Sequence, residues 1–61
     1  MTTSDVEERE ALLARYLRAL TACGYPLDLI TRNYENGKFI ALDELREYVE
    51  RAEERLASRR P

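Results

Sequence analysis

Twelve carboxylates, ten basic side chains, four tyrosines and a single thiol are the groups with chemistry to offer in this chain, and histidine is absent. Without histidine the commonest general base at neutral pH is missing. A carboxylate can replace it only in a cleft that shifts its pKa. Glu7, Glu8, Glu10, Glu47, Glu50, Glu53 and Glu54 fall instead at spacings that turn them toward solvent on helices. Gly24 and Gly37 stand alone, so no glycine-rich loop is available to cradle a phosphate. Cys23 is the only cysteine, which rules out a disulfide within the chain, and it lacks the companions that tetrahedral zinc requires. No enzyme, no metal and no cofactor are expected. Cys23 reads as a small core hydrophobe.

The chemistry that remains is recognition. Arg51, Arg55 and Arg59 repeat at i, i+4, i+8 with Arg60 beside them. That stripe suits an anion or an acidic partner. Glu50, Glu53 and Glu54 intervene, however, and the net charge is −2, so dipole compensation and solubility explain the stripe better and nucleic acid is disfavoured. The aromatics are Tyr16, Tyr25, Tyr34, Phe39 and Tyr48, more than one thin core needs. Tyrosine is enriched at interfaces because it buries area and keeps a polar tip. Tyr25, Tyr34 and Tyr48 divide between core and interface.

These groups must be positioned by helices. Ser4 to Glu7 fits a capping box, and Glu7, Glu8 and Glu10 lie near the positive end of the helix dipole that follows. Over residues 5–23, Val6, Leu12, Leu13, Tyr16, Leu17, Ala19, Leu20 and Cys23 fall within an arc of about 160°. Gly24 and Pro26 end that helix. The segment 27–39 has two readings. Asn36-Gly37 is a hairpin signal, but Asp28, Arg32 and Asn33 interrupt any clean strand. The preferred alternative is a short helix from Pro26 to Glu35, with Leu27, Ile30 and Tyr34 on one face, Gly37 as a left-handed cap and Phe39 folding back over it. A last helix over 41–58 carries the packing seam Leu42, Leu45, Val49, Ala52, Leu56, flanked by Tyr48. Residues 58–61 should fray. The expected fold is all-α: one domain over 1–61, an antiparallel hairpin of two long helices with a short middle helix, three helices in all. Two copies could form a four-helix bundle.

A chain of 61 residues buries only about 60 % of its surface alone, and a core of this size supplies roughly 3–5 kcal/mol. The arc of the first helix is wider than a two-helix seam requires, so its edge at Leu12, Tyr16 and Ala19 is expected to lack cover. An uncovered apolar edge marks an interaction surface. The expectation is a small non-enzymatic adaptor or regulator that binds a protein partner, or a second copy, through Leu12, Tyr16, Leu20, Tyr34, Glu35 and Tyr48. The alternatives are a docking subunit of a larger assembly or a nucleic-acid-binding regulator using Arg51, Arg55 and Arg59. The single thiol, the absence of a basic, apolar leader and the lack of any run of ~18 apolar residues imply a cytoplasmic protein without a membrane span.

One short run suggests a sharper role. Thr31-Arg32-Asn33-Tyr34-Glu35-Asn36 resembles the Ser/Thr-x-x-x-Glu-Gly/Asn pattern on the inhibitory helix of Fic-type antitoxins, which include small helical proteins. The resemblance covers six residues, three of them fixed positions. It implies that Glu35 corresponds to the glutamate that blocks nucleotide in an enzyme partner.

Overall fold

The apolar spacings resolve into three helices. The computed structural model describes residues 3–59, which form α1 (Thr3–Ala22), α2 (Leu27–Gly37) and α3 (Leu42–Ser58), with no strand among the described residues. The all-α class and the three helices are as expected. Residues 27–39 therefore carry a helix rather than a hairpin. α1 is already helical at Thr3, which puts Ser4 inside its first turn rather than at its cap. Of residues 58–61, expected to fray, Ser58 is the last residue of α3 and Arg59 caps it while its side chain bonds the Cys23 carbonyl, which corrects the expectation there; Arg60 and Pro61 lie outside the described residues.

The joints follow from backbone chemistry. α1 ends in a Schellman motif: the Tyr25 N–H donates to the Leu20 carbonyl at 3.3 Å and the Gly24 N–H to the Thr21 carbonyl at 3.0 Å. Gly24 occupies the left-handed position with φ 85°, the conformation that costs an L-residue most. Pro26 and Ala41 precede α2 and α3 in extended conformation, and their carbonyls accept the first helical bonds, from the Ile30 and Leu45 N–H groups. Gly37 departs from expectation. It is the last residue of α2, its φ is not positive, and Phe39 is 85 % exposed rather than folded back. The reason for glycine is space: a Cβ there would lie 2.6 Å from Leu13 Cδ2 and 3.3 Å from Leu45 Cδ1.

Leu12 and Leu13 of α1 meet Leu45 and Val49 of α3 in the centre of the core, flanked by Tyr16, Tyr34, Ile40 and Leu42. Leu45 and Val49 are 0 % exposed, as the seam requires, and each such burial contributes about 1.5–3 kcal/mol. Cys23 is buried, in its expected role.

The direction of the long helices corrects the expected antiparallel pair. Glu8 pairs with Arg46, Arg15 with Glu53, and the Cys23 carbonyl with Arg59. Both sequences advance together, so α1 and α3 run parallel. α2 is long enough, at 11 residues or about 16 Å, to carry the chain back along α1 before α3 starts. The antiparallel hairpin is α1 with α2. Both flanking helices pack on α1, and they have little contact with each other beyond the approach of Gly37 to Leu45.

Candidate docking groove

Because α2 and α3 lean on α1 and hardly on each other, a groove opens between them with α1 as its floor. Tyr16 forms that floor, Asn33 of α2 and Tyr48 of α3 form the walls, and Phe39 and Ile40 close one end. The groove continues past Tyr16 to Tyr25, Leu29, Arg51 and Arg55 at the other end. On α3 the residues facing it are Tyr48, Arg51, Ala52 and Arg55, at i, i+3, i+4, i+7. This second stripe runs beside the buried seam and shares Ala52 with it.

The electrostatics are simple. Tyr16 is half-buried; burial raises the pKa of its hydroxyl, and the neighbouring Tyr48 and Tyr25 push in the same direction. The phenol is a neutral hydrogen-bonding group at physiological pH. Arg55 donates to the Tyr25 hydroxyl. Arg51 donates to Glu47 at 2.6 Å, an exposed pair. Every buried side-chain nitrogen and oxygen among the described residues has a partner. No group of three or more potential metal ligands occurs among them. The arrangement can bury apolar surface and offer phenol, amide and guanidinium groups to a ligand.

The expected binding face is divided by the structure. Tyr16 and Tyr48 come together in the groove. Leu12 and Leu20 do not present a surface: they are 4 % and 5 % exposed, and Ala19 is equally buried. Of the edge expected to lack cover, Leu12 and Ala19 are covered because α3 packs on that side of α1, while Tyr16 stays half-buried on the groove floor. The open edge is the other one, where Val6 and Leu17 are exposed. Tyr34 lies on the far flank of α2, packed near Val6, Leu13 and Leu42 with Lys38 5.0 Å over its ring. Glu35 is exposed in the last turn of α2, with Lys38 Nζ 3.2 Å from its carboxylate.

The arginine stripe is largely committed within the chain. Arg59 donates to the Cys23 carbonyl and Arg55 to Tyr25, so together they tie the α1–α2 corner to the end of α3. Each of the three arginines thus has a contact within the chain, but only Arg51 meets an acid, Glu47.

Arg9 was not legible as a structural residue. Its Nη1 donates to the Gly37 carbonyl at 2.9 Å and to the Ile40 carbonyl at 2.7 Å, satisfying backbone acceptors at the end of α2 and in the link to α3. No periodic signal announces a contact between residues so far apart. Asn33 and Ile40 were also missed as groove residues; the only available signal was the turn spacing that places Asn33 beside Leu29 and Asn36.

Comparison with known proteins adds nothing to this geometry: no family model, no curated protein and no solved structure matches the chain. Among the described residues no helix is long and apolar enough to cross a membrane.

Proposed function

We propose that this protein is a non-enzymatic adaptor or regulator that takes a segment of a partner protein into the groove between α2 and α3. The observation that carries this reading is Tyr48, 44 % exposed beside the half-buried Tyr16, with Phe39 standing open at the groove's end. An exposed aromatic cluster over a preformed depression is the usual form of a protein-binding hot spot. Substituting Tyr48→Glu places a charge in the groove without touching the core. Partner capture should fall at least tenfold with helicity unchanged, whereas Leu17→Glu on the open edge of α1 should leave it intact. Equal loss from both variants, or from neither, would move the docking site elsewhere. A second copy occupying the groove would appear in the same variants as a loss of dimer.

A second reading has its own observation. The run Thr31–Asn36 lies on α2, and Thr31 and Glu35 are both exposed, one turn apart, on the side of the helix away from the groove. An antitoxin-like inhibitor would use Glu35 there against the nucleotide site of an enzyme partner. Under this reading Glu35→Gly restores activity to a co-expressed Fic-type enzyme while the complex still forms. Continued inhibition by that variant would dismiss the role.

A further inference from the structure

The groove is charged with one sign. Arg51 and Arg55 line it and no carboxylate does, among the described residues of a chain that carries 12 acids and a net charge of −2. Arg55 makes no ion pair with any described residue; its contact is the neutral Tyr25 hydroxyl. Arg51 is held by Glu47, but their side chains are 67 % and 60 % exposed. A pair so wet contributes little, so an incoming carboxylate can replace Glu47 at small cost. The opposite end of the groove is uncharged: Phe39, Ile40 and Tyr48 stand there beside the neutral amides of Asn33 and Asn36.

We infer that the groove's occupant is an acidic amphipathic helix of a partner protein, with its apolar anchor between Tyr16 and Tyr48 and carboxylates against Arg51 and Arg55. This rests on the docking reading above and specifies its ligand. Tyr48 and Arg55 are seven residues apart on one face of α3, about 10 Å. A helix laid beside α3 therefore presents an anchor and, two turns on, the charge that Arg55 meets. A basic segment would bring like charge to Arg55, which has no acid partner, and to Arg51, whose one acid is the exposed Glu47, and the groove selects against it.

The probe is a fluorescent, side-chain-stapled helical peptide of about four turns, with a leucine stripe and two glutamates two turns beyond its anchor. Its control replaces both glutamates by lysine. Each is titrated into the full chain by fluorescence anisotropy, with amide chemical shifts followed in parallel. The acidic peptide should bind at least about tenfold more tightly than the control, weaken with salt and shift the amides of Asn33, Ile40 and Tyr48. The Arg51→Glu, Arg55→Glu double variant should reverse the preference; Arg51→Gln, Arg55→Gln, which adds no repulsion, should abolish it. Equal binding of both peptides at those amides would overturn the acidic class and leave the docking groove standing. Failure of both peptides, while Tyr48-dependent partner capture persists, would overturn the helical ligand. Shifts confined to another face would sink the groove itself. Displacement of the acidic peptide by a thymidine oligonucleotide that shifts the same amides would reassign the arginines to nucleic acid.

Discussion

At the scale of single residues, the two glycines separate two kinds of constraint. Gly24 has open space around its Cα and a φ of 85°. Its replacement by alanine should cost about 1–2 kcal/mol through the backbone alone, and Gly24→Asn should cost less, as thermal or urea unfolding would show. Gly37 has an ordinary helical backbone but no room for a Cβ between Leu13 and Leu45. Gly37→Ala should therefore lose about 1 kcal/mol or more by overpacking, although alanine is the better helix former. The two mechanisms part in a double variant: Leu13→Ala should relieve Gly37→Ala and leave Gly24→Ala unchanged. Strict additivity at Gly37 would refute the steric account. Tyr16 offers a titration at the same scale. Its pKa is raised in the folded chain by burial, so the folded state retains a proton that the unfolded state has released. Stability from this group is complete below the ordinary tyrosine value of 10.0 and is lost as pH rises through the folded value. Tyr16→Phe should flatten that alkaline limb of a pH–stability curve.

Between elements, the parallel run of α1 and α3 is written in two ion pairs seven residues apart on each helix, Glu8 with Arg46 and Arg15 with Glu53. Arg15 grips Glu53 in a fork, with Nε 3.0 Å and Nη2 2.7 Å from the two carboxylate oxygens. That hydrogen bonding holds the Glu53 carboxyl below its ordinary 4.5; desolvation acts the other way, and the Arg15 charge adds to the lowering. The depressed group contributes stability above 4.5 that disappears as pH falls through the folded value. Glu53→Gln should remove this acid-side dependence from urea midpoints measured across the range, and an unchanged profile would mean the fork does not hold in solution. Helix direction has a separate test. A nitroxide at Glu8→Cys, in a Cys23→Ser background, should broaden amides around Asp43 to Glu47 and spare those around Arg55. The reverse pattern would restore the antiparallel pair.

For the whole molecule, the numbers describe a thin body. Its extents are 42 × 23 × 14 Å, and it exposes 4640 Å², against about 4100 Å² expected for a compact monomer of 7.1 kDa. The core rests on a few leucines, so truncating its centre should be severe. Leu45→Ala should cost about 2–5 kcal/mol, comparable to the roughly 3–5 kcal/mol available to a core of this size. Circular dichroism should find that variant largely unfolded at ambient temperature. A ligand that fills the groove would bind only the folded chain and so, above its Kd, should raise the unfolding midpoint with the logarithm of its concentration. A midpoint insensitive to saturating acidic peptide would mean that the peptide does not bind the native fold.

What the sequence determined by itself was local. The helix-length apolar periods, the stop at Gly24 and the seam of Leu45 and Val49 follow from interactions within a few turns, and each is found where the spacing put it. The spacing of Tyr48, Arg51, Ala52 and Arg55 was present too, but as one more helical face with nothing to distinguish it. Tertiary structure decided which faces meet. The apolar arc of α1 is symmetric enough to accept α3 on either edge, and the period of a helix carries no sign that chooses Leu12 for burial and Leu17 for exposure. The direction of α3 depended on whether α2 acts as a corner or as a full return pass, which is a matter of length and of the contact that Gly37 permits. The Arg9 bonds and the groove over Tyr16 exist only once three helices converge, because each joins residues whose separation in the chain leaves no periodic trace.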